Sequence, residues 1–143
     1  MSFASSLRIG ASALTAQRLR MDVISSNIAN VNTTRSPDGG PYKRREVVLS
    51  AAPSRSGILP ISERAASPAG VRVAGVVADG GIRWVNDPSH PDADENGNVA
   101  YPDIDLVQEM TNMMSAVRAY EASVTALNAL KGMAMKALDL GKA

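Results

Sequence analysis

The apolar residues near the start of the chain recur at helical spacing. From residue 7 to residue 28 the steps alternate between four and three residues, and every seventh position carries a large apolar side chain. The positions are Leu7, Ala11, Leu14, Arg18, Met21, Ser25 and Ile28. Ile24 and Val31 widen this stripe. The pattern predicts a helix from about Ser5 to Asn30, with Ser5 or Ser6 as its N-cap, that presents a seam to another helix.

A second stripe of the same kind lies near the other end of the chain. Its positions are Leu106, Met110, Met113, Val117, Tyr120, Val124, Leu127, Ala134 and Leu138, and they are broadened by Met114 and Leu130. Asp105 followed by Gln108 is the pattern of a capping box, and Gly141 marks a helix end. A long C-terminal helix is therefore predicted between Asp105 and Gly141.

Between the two stripes the chain is rich in Pro, Gly and Ser, which indicates turns and loops. Short strands are predicted at 45–50, 71–77 and 82–85. The turn residues 78–81 predict that the last two strands form a hairpin. Residues 51–70 are predicted to be a loop.

These elements predict a mainly α fold with three segments. An N-terminal helix occupies 1–34, loops and a small β-hairpin occupy 35–102, and a C-terminal helix occupies 103–143. A compact insert brings the end of the first helix near the start of the second. We therefore expect two long terminal amphipathic helices that form an antiparallel coiled-coil-like pair.

The composition indicates a shape that depends on partners. Of the 143 residues 45% are hydrophobic, but only 3% are aromatic, and aromatic residues supply much of the buried area of a thick core. The formal charge of +1 excludes a strong overall field for nucleic acid. The chain has no cysteine, and it has no apolar run long enough for direct membrane insertion. The first ten residues lack a secretory signal pattern, so we expect any export to use a route without a cleaved signal peptide.

The sharpest chemical signal is Asp92-Ala93-Asp94-Glu95-Asn96-Gly97, which matches the first half of a calcium-binding EF-hand loop. The twelfth position carries Asp103 rather than Glu, and prolines exclude the incoming helix. Short acidic strings with glycine also occur in ordinary turns. We favour a turn, with calcium as the alternative, and we expect no cofactor.

Nothing in the sequence forms a catalytic set. His90 is the only histidine and lies on a proline-flanked loop, so a packed or solvated side chain is favoured over a general base. The basic run Lys43-Arg44-Arg45 is followed by Glu46, which favours a solvated edge or an acidic partner over phosphate binding. We predict that the protein is not an enzyme.

The methionines of the second stripe have two interpretations. They fill a core, or they form an adaptable contact surface, because methionine conforms to more than one partner. Asn27, Asn30 and Asn32 cluster at the end of the first helix. Capping explains one or both of Asn30 and Asn32, but not Asn27. We expect the helix to continue past Asn27 and leave its amide on the surface, where Asn27 and Asn30 hydrogen-bond a neighbouring helix.

Several segments resemble the bacterial flagellar axial proteins, and most closely the proximal rod proteins of the FlgC type. The segments are 27–33 (NIANVNT), 34–44 (TRSPDGGPYKR), 90–94 (HPDAD), 99–102 (VAYP) and 115–128 (SAVRAYEASVTALN). Asn98 and Asp103 depart from the commonest family residues, and residues 51–86 are the least similar.

The resemblance implies a structural subunit of the flagellar basal-body proximal rod, which packs its terminal helices around a central export channel. It implies as partners copies of the chain, other rod proteins, the base ring and rod-adaptor components, and the flagellar type III export apparatus in transit. It implies a periplasmic location. The alternative is a soluble export-linked binding module that uses the methionine-bearing helix.

The predicted assembly interface combines the stripe positions with residues similar to family contacts. The latter are Asn27, Asn30, Asn32, Thr33, Arg118, Tyr120, Glu121 and Asn128. The complete set is Leu7, Leu14, Met21, Asn27, Ile28, Asn30, Asn32, Thr33, Met110, Met113, Met114, Val117, Arg118, Tyr120, Glu121, Val124, Leu127 and Asn128.

Overall fold

The computed structural model describes residues 2–37, 39–52 and 70–141. Most of the predicted loop at 51–70 lies outside these residues. The elements in chain order are helix α1 (Phe3–Ala29), strands β1 (Arg45–Ala51), β2 (Val71–Ala78), β3 (Ile82–Asn86) and β4 (Asn98–Pro102), and helix α2 (Leu106–Leu140). The fold thus has two terminal helices with small antiparallel sheets between them, as the sequence predicts at this level.

Helix α1 begins earlier than its apolar stripe indicates. Ser2 is the N-cap, and its hydroxyl oxygen accepts from the backbone N–H of Ser5 at 3.3 Å. The prediction of Ser5 or Ser6 as N-cap is therefore wrong, because these residues already lie inside the first turns. The predicted end is confirmed. Asn30 is the C-cap, and both its backbone N–H and its side-chain amide donate to the carbonyl of Ser26.

Helix α2 begins and ends where its capping residues predict. The Asp105 carboxylate accepts from the backbone N–H groups of Val107 and Gln108, at 2.9 and 3.3 Å. The side chain of Gln108 donates to Asn112 instead of turning back to the cap. Gly141 is the C-cap. Only one half of the predicted capping box therefore forms.

The strands pair differently from the prediction. β1 pairs with β2 and β3 pairs with β4, both antiparallel, so the expected hairpin of β2 and β3 is wrong. Residues 79–81 run from one sheet to the other. The N–H of Asp79 donates to the carbonyl of Arg44, and the N–H of Asp103 donates to the carbonyl of Gly81. These bonds hold the segment extended between two strands that already have partners.

The two helices pack against each other over much of their length. Asn27 near the end of α1 contacts Glu109 near the start of α2. Gly10 near the start of α1 lies against Leu127, and a Cβ atom at Gly10 would lie 2.6 Å from the leucine Cδ2. The missing side chain of Gly10 therefore lets α2 approach closely.

The most deeply buried helix residues are mostly not those of the predicted stripe. The buried residues of α1 are Ala16, Ile24 and Asn27, and those of α2 are Glu109 and Ala116. Apart from Ile24, which widens the first stripe, these residues are small or polar. Sequence periodicity followed the large apolar side chains and did not identify them.

Several stripe positions are exposed in the single chain. Ala11, Arg18 and Ser25 are exposed on α1. On α2, Leu106, Met110, Met114, Val117 and Leu138 are exposed. The contact between the two helices therefore leaves part of the heptad pattern accessible.

Candidate functional site

The side chain of Asn27 is enclosed between α1, β1 and α2, with 0% of its surface exposed. Its amide nitrogen donates to the carbonyl of Arg45 at 2.8 Å and to Glu109 Oε2 at 3.0 Å. Its amide oxygen accepts from the N–H of Arg45 at 2.9 Å and from the hydroxyl of Tyr42 at 3.1 Å. All four hydrogen-bonding positions of the amide are therefore used within the chain.

The carboxylate of Glu109 is the second buried polar group of this site, with 1% of its surface exposed. Glu109 Oε1 accepts from Nε of Arg44 at 2.9 Å and lies 2.8 Å from its Nη2. Burial lowers the pKa of Arg44, but the hydrogen bonds and charges of Glu109 and Glu46 together outweigh it, so the pKa of Arg44 is raised. The guanidinium therefore stays charged and neutralises the buried carboxylate.

We call Asn27, Tyr42, Arg44, Arg45 and Glu109 the polar junction. The Tyr42 hydroxyl also lies 3.3 Å from that of Ser26. The junction joins both helices to the segment that enters β1. Its buried polar atoms have partners, so it serves to hold one arrangement of the chain rather than to react.

Two predictions about these residues are wrong. The amide of Asn27 is not on the surface, so it has no position free for a neighbouring helix. The run Lys43-Arg44-Arg45 is not a uniformly solvated edge, because the guanidinium of Arg44 is three-quarters buried against Glu109. The segment after α1 turns back towards α2, and this approach was not visible in the local sequence pattern.

The other predicted polar residues of the α1 end have local roles or face solvent. The hydroxyl of Thr33 donates to the side-chain oxygen of Asn30 at 3.1 Å. The amide of Asn30 is occupied by the carbonyl of Ser26 at 2.8 Å. Asn32 is exposed. Asn30 and Thr33 thus complete the helix C-terminus, and Asn32 remains accessible.

A wholly apolar groove opens beside the junction, with a volume of about 500 Å³. We call it the methionine groove. Its lining residues are Ile28, Leu106, Met110, Met113 and Met114. Met110 is 54% and Met114 is 62% exposed. Four of the five residues belong to the predicted assembly interface, so the structure brings these together on an accessible surface.

The remaining stripe residues of the predicted interface extend along both helices. They are half-buried, except for the exposed Val117, and comprise Leu7, Leu14, Met21, Tyr120, Val124 and Leu127. Leu127 lies against Gly10 of the same chain.

The predicted polar contacts of α2 face solvent. Arg118 and Glu121 form an exposed ion pair at 3.2 Å, and Asn128 is exposed. Exposed pairs of this kind contribute little to stability. These three side chains are accessible to other molecules.

The acidic stretch at 92–97 forms a turn. Asp92 accepts from the hydroxyl of Thr34 at 2.8 Å and pairs with Arg35. Oδ1 of Asp94 accepts from the N–H groups of Asn96 and Asn98. The two carboxylates thus have separate partners. Across residues 2–37, 39–52 and 70–141, no group of three or more His, Asp or Glu side chains is placed to hold a metal ion.

His90 packs within its own loop. Its ring lies edge-on to Tyr101, with 6.1 Å between ring centroids, and its Nδ1 accepts from the N–H of Asp92 at 3.1 Å. The histidine thus has the packed position that the sequence favoured.

Among the described residues, neither helix is long and apolar enough to cross a membrane.

Comparison with known proteins identifies the family. Residues 7–35 match the flagella basal body rod protein family, and residues 95–140 match the flagellar basal body rod FlgEFG protein C-terminal family. The chain is 47% identical to the flagellar basal-body rod protein FlgC of Bacillus subtilis, over 96% of this chain and 97% of that protein. The chain belongs to the FlgC family of flagellar basal-body rod proteins.

Other FlgC proteins are similar over almost the whole chain. The protein of Borreliella burgdorferi is 42% identical over 98% of each chain. That of Escherichia coli O6:H1 is 42% identical over 94% of each chain. Membership of the FlgC family places the chain among structural rod proteins and not among enzymes.

Sequence analysis missed the central residues of the polar junction. Tyr42, Arg45 and Glu109 were not identified as partners of Asn27, and Arg44 was not identified as the partner of Glu109. Glu109 directly precedes the stripe residue Met110, and the apolar pattern gives no signal for a charged residue. The one available signal was Asn27 itself, because an amide inside a long helix needs a reason beyond capping.

Proposed function

We propose that this FlgC-family chain is a structural subunit of the proximal rod, and that its terminal helices assemble with copies of itself and with other rod proteins. The methionine groove carries this proposal. Apolar side chains at heptad spacing normally meet another helix. Here the contact between α1 and α2 leaves Met110 and Met114 exposed, so the groove remains open for a helix from a neighbouring subunit.

The composition of the groove supports a helical neighbour rather than a small ligand. Its accessible lining is apolar throughout, whereas small-molecule sites usually include a few convergent polar groups. Methionine adapts its shape to a partner. A rod subunit meets non-identical neighbours, and an adaptable surface suits such contacts. We propose that the exposed Arg118, Glu121 and Asn128 contribute polar contacts at the rim.

We further propose that α1 and α2 act as one antiparallel coiled-coil-like unit in the assembly. Asn27 lies after Gly10 on α1, whereas its partner Glu109 lies before Leu127, the partner of Gly10, on α2. The two helices therefore run in opposite directions. Small residues at the contact support close packing. In this proposal the unit lines a central export channel in the periplasm, and the chain reaches it through the flagellar type III apparatus.

The base ring and rod-adaptor components are proposed as further neighbours. The alternative of a soluble export-linked binding module is not favoured, because FlgC rod proteins match the chain over nearly its full length.

Replacement of Met110 by Gln in the full chain tests this function. The substitution keeps the length of the side chain and makes an exposed apolar surface polar. We expect loss of rod incorporation, measured as the amount of the chain in purified basal bodies, and reduced swimming. The urea midpoint of the purified variant should match that of the parent, because the side chain is exposed.

Met133→Gln is the matched control. Met133 is 61% exposed on the same helix, but lies about 140° around the helix axis from Met110 at 100° per residue. We expect the control to incorporate normally. Full incorporation of Met110→Gln, or equal losses in both variants, would count against the methionine groove as an assembly surface.

A further inference from the structure

The single tryptophan of the chain stands uncovered on the β3–β4 sheet. Trp84 is 62% exposed, and its cross-strand neighbour is the small Ala100. Because side chains alternate along a strand, Ile82 shares its face, and Ile82 is 47% exposed. An indole ring left in water is costly for the single chain, and exposed tryptophans are enriched at the centres of protein interfaces.

Trp84 borders an open groove with a volume of about 430 Å³. Pro41 and Pro91 contribute rigid apolar walls, and Asp92 and Asp94 line it as well. Asp92 is occupied by Thr34 and Arg35. Asp94 uses Oδ1 for its own turn, and no donor from the described residues reaches its Oδ2. One carboxylate oxygen thus remains available beside the ring.

The net negative charge around Trp84 favours a positively charged partner. Residues 79–105 contain seven carboxylates and one guanidinium, a net charge of −6 in a chain whose total is +1. The one cation of this range, Arg83, precedes Trp84 and therefore points to the opposite face of β3. Arg35 also lines the groove, where it is paired with Asp92. A partner with a positive surface is attracted to such a region, and nucleic acid or an anionic lipid surface is repelled.

We propose that Trp84 and the carboxylates of Asp94 and Glu95 form a docking surface for a basic segment of another protein chain. A lysine or arginine of that segment lies over the face of the indole ring, where the ring quadrupole attracts a cation. Its charge is met by Asp94 and by the exposed Glu95. The surface lies on different elements from the methionine groove and does not depend on the proposed helical assembly.

Because Trp84 is the only tryptophan, its fluorescence reports on this groove alone. The experiment titrates the purified full chain with a capped octapeptide of alternating glycine and arginine at low salt, and repeats the titration with the corresponding glycine–glutamate peptide. We expect a saturable change in Trp84 fluorescence with the arginine peptide only. We also expect Trp84→Ala to weaken binding of the arginine peptide at least fivefold by calorimetry.

A pair of charge-matched variants separates this surface from general attraction to acidic residues. Asp94→Asn with Glu95→Gln keeps the Oδ1 acceptor of the turn and removes two charges of the proposed surface. Asp22→Asn with Asp139→Asn removes two exposed charges elsewhere. We expect at least fivefold weaker binding for the first pair and less than twofold for the second.

Three results would overturn the proposal. They are equal weakening by the two pairs of substitutions, no fluorescence change with the arginine peptide, and a Trp84 signal that changes on dilution without peptide. The last result would assign the surface to contacts between copies of this chain.

Discussion

The side-chain amide of Asn27 donates a hydrogen bond to the carboxylate of Glu109, 3.0 Å away, although 82 positions separate the two residues. Both side chains are buried, and their remaining polar atoms bind Arg44, Arg45 and Tyr42. An asparagine that looked like a docking residue thus fixes the position of one terminal helix against the other.

Asn27→Ala should destabilise the free chain. The substitution leaves the N–H and carbonyl of Arg45 and the hydroxyl of Tyr42 without their partner in a buried site. We expect a loss of about 3 kcal/mol in the free energy of unfolding, measured by urea denaturation. The matched control is the exposed Asn32→Ala, for which we expect a change below about 0.5 kcal/mol. Equal stability of the two variants would show that the junction contributes little.

Removing Arg44 should lower the free energy of unfolding more than removing the charge of Glu109. Arg44→Met leaves a carboxylate that is 1% exposed without a counter-charge, and we expect a cost of about 3–5 kcal/mol. Glu109→Gln leaves a guanidinium that is 23% exposed, so its cost should be smaller. The double variant should recover most of the loss caused by Arg44→Met.

The comparison uses urea unfolding of the four chains of a double-mutant cycle. Arg118→Met at the exposed pair with Glu121 is the control, with an expected cost below about 1 kcal/mol. If the costs of Arg44→Met and Glu109→Gln simply add, the two side chains are not coupled.

Gly80→Ala should weaken the connection between the two sheets. A Cβ atom at Gly80 would lie 2.6 Å from the backbone nitrogen of Arg44 and 3.3 Å from the carbonyl carbon of Lys43. Backbone atoms held by strand pairing cannot move aside as a side chain does. We expect a loss of about 2 kcal/mol, measured as a lower urea midpoint.

Gly75→Ala on β2 provides the control for Gly80→Ala. A Cβ atom at Gly75 meets no atom within 4 Å, and the added methyl group restricts the unfolded chain. We expect stability equal to or slightly above that of the parent. If the urea midpoint of Gly80→Ala matched that of Gly75→Ala, the connection between the two sheets would contribute little to stability.

The carboxylate of Asp87 should titrate below its usual range. The hydroxyl and the N–H of Ser89 donate to Oδ1 at 2.6 and 3.1 Å, and they lower the pKa of Asp87. A lowered folded-state pKa stabilises the turn above the unfolded-state pKa, and this contribution is lost as the pH falls through the folded value. Ser89→Ala should raise the pKa of Asp87 towards its ordinary value.

Carbon-detected NMR of the Asp87 carboxyl group in the full chain measures this pKa. Ser123→Ala is the control, because the hydroxyl of Ser123 donates to the carbonyl of Ala119 on α2. We expect this control to leave the titration of Asp87 unchanged. An unaltered pKa of Asp87 in Ser89→Ala would exclude the hydroxyl hydrogen bond as the cause.

The sequence predicts those features of this fold that depend on neighbouring residues. Asp105 and Gly141 define the ends of α2, because capping is local chemistry. Asn30 ends α1 for the same reason. Strand pairing was predicted wrongly, because β2 pairs with the distant β1 rather than with the adjacent β3.

The most deeply buried residues of the helices were missed for a different physical reason. Periodicity weights large apolar side chains, whereas most of the fully buried helix residues are small or polar. Ala16 and Ala116 carry little apolar signal, and Glu109 carries the opposite signal. The sequence therefore predicted the two amphipathic helices but not the small and polar residues that they bury.

The spacing of the junction residues also governs when the fold is completed. Asn27, Tyr42 and Glu109 come from three separate parts of the chain, so the junction forms only after all three parts have come together. Until then the amide and the carboxylate stay hydrated. Closing a contact across 82 residues is slow compared with forming either helix. Pairing of the two helices is therefore a late event in folding.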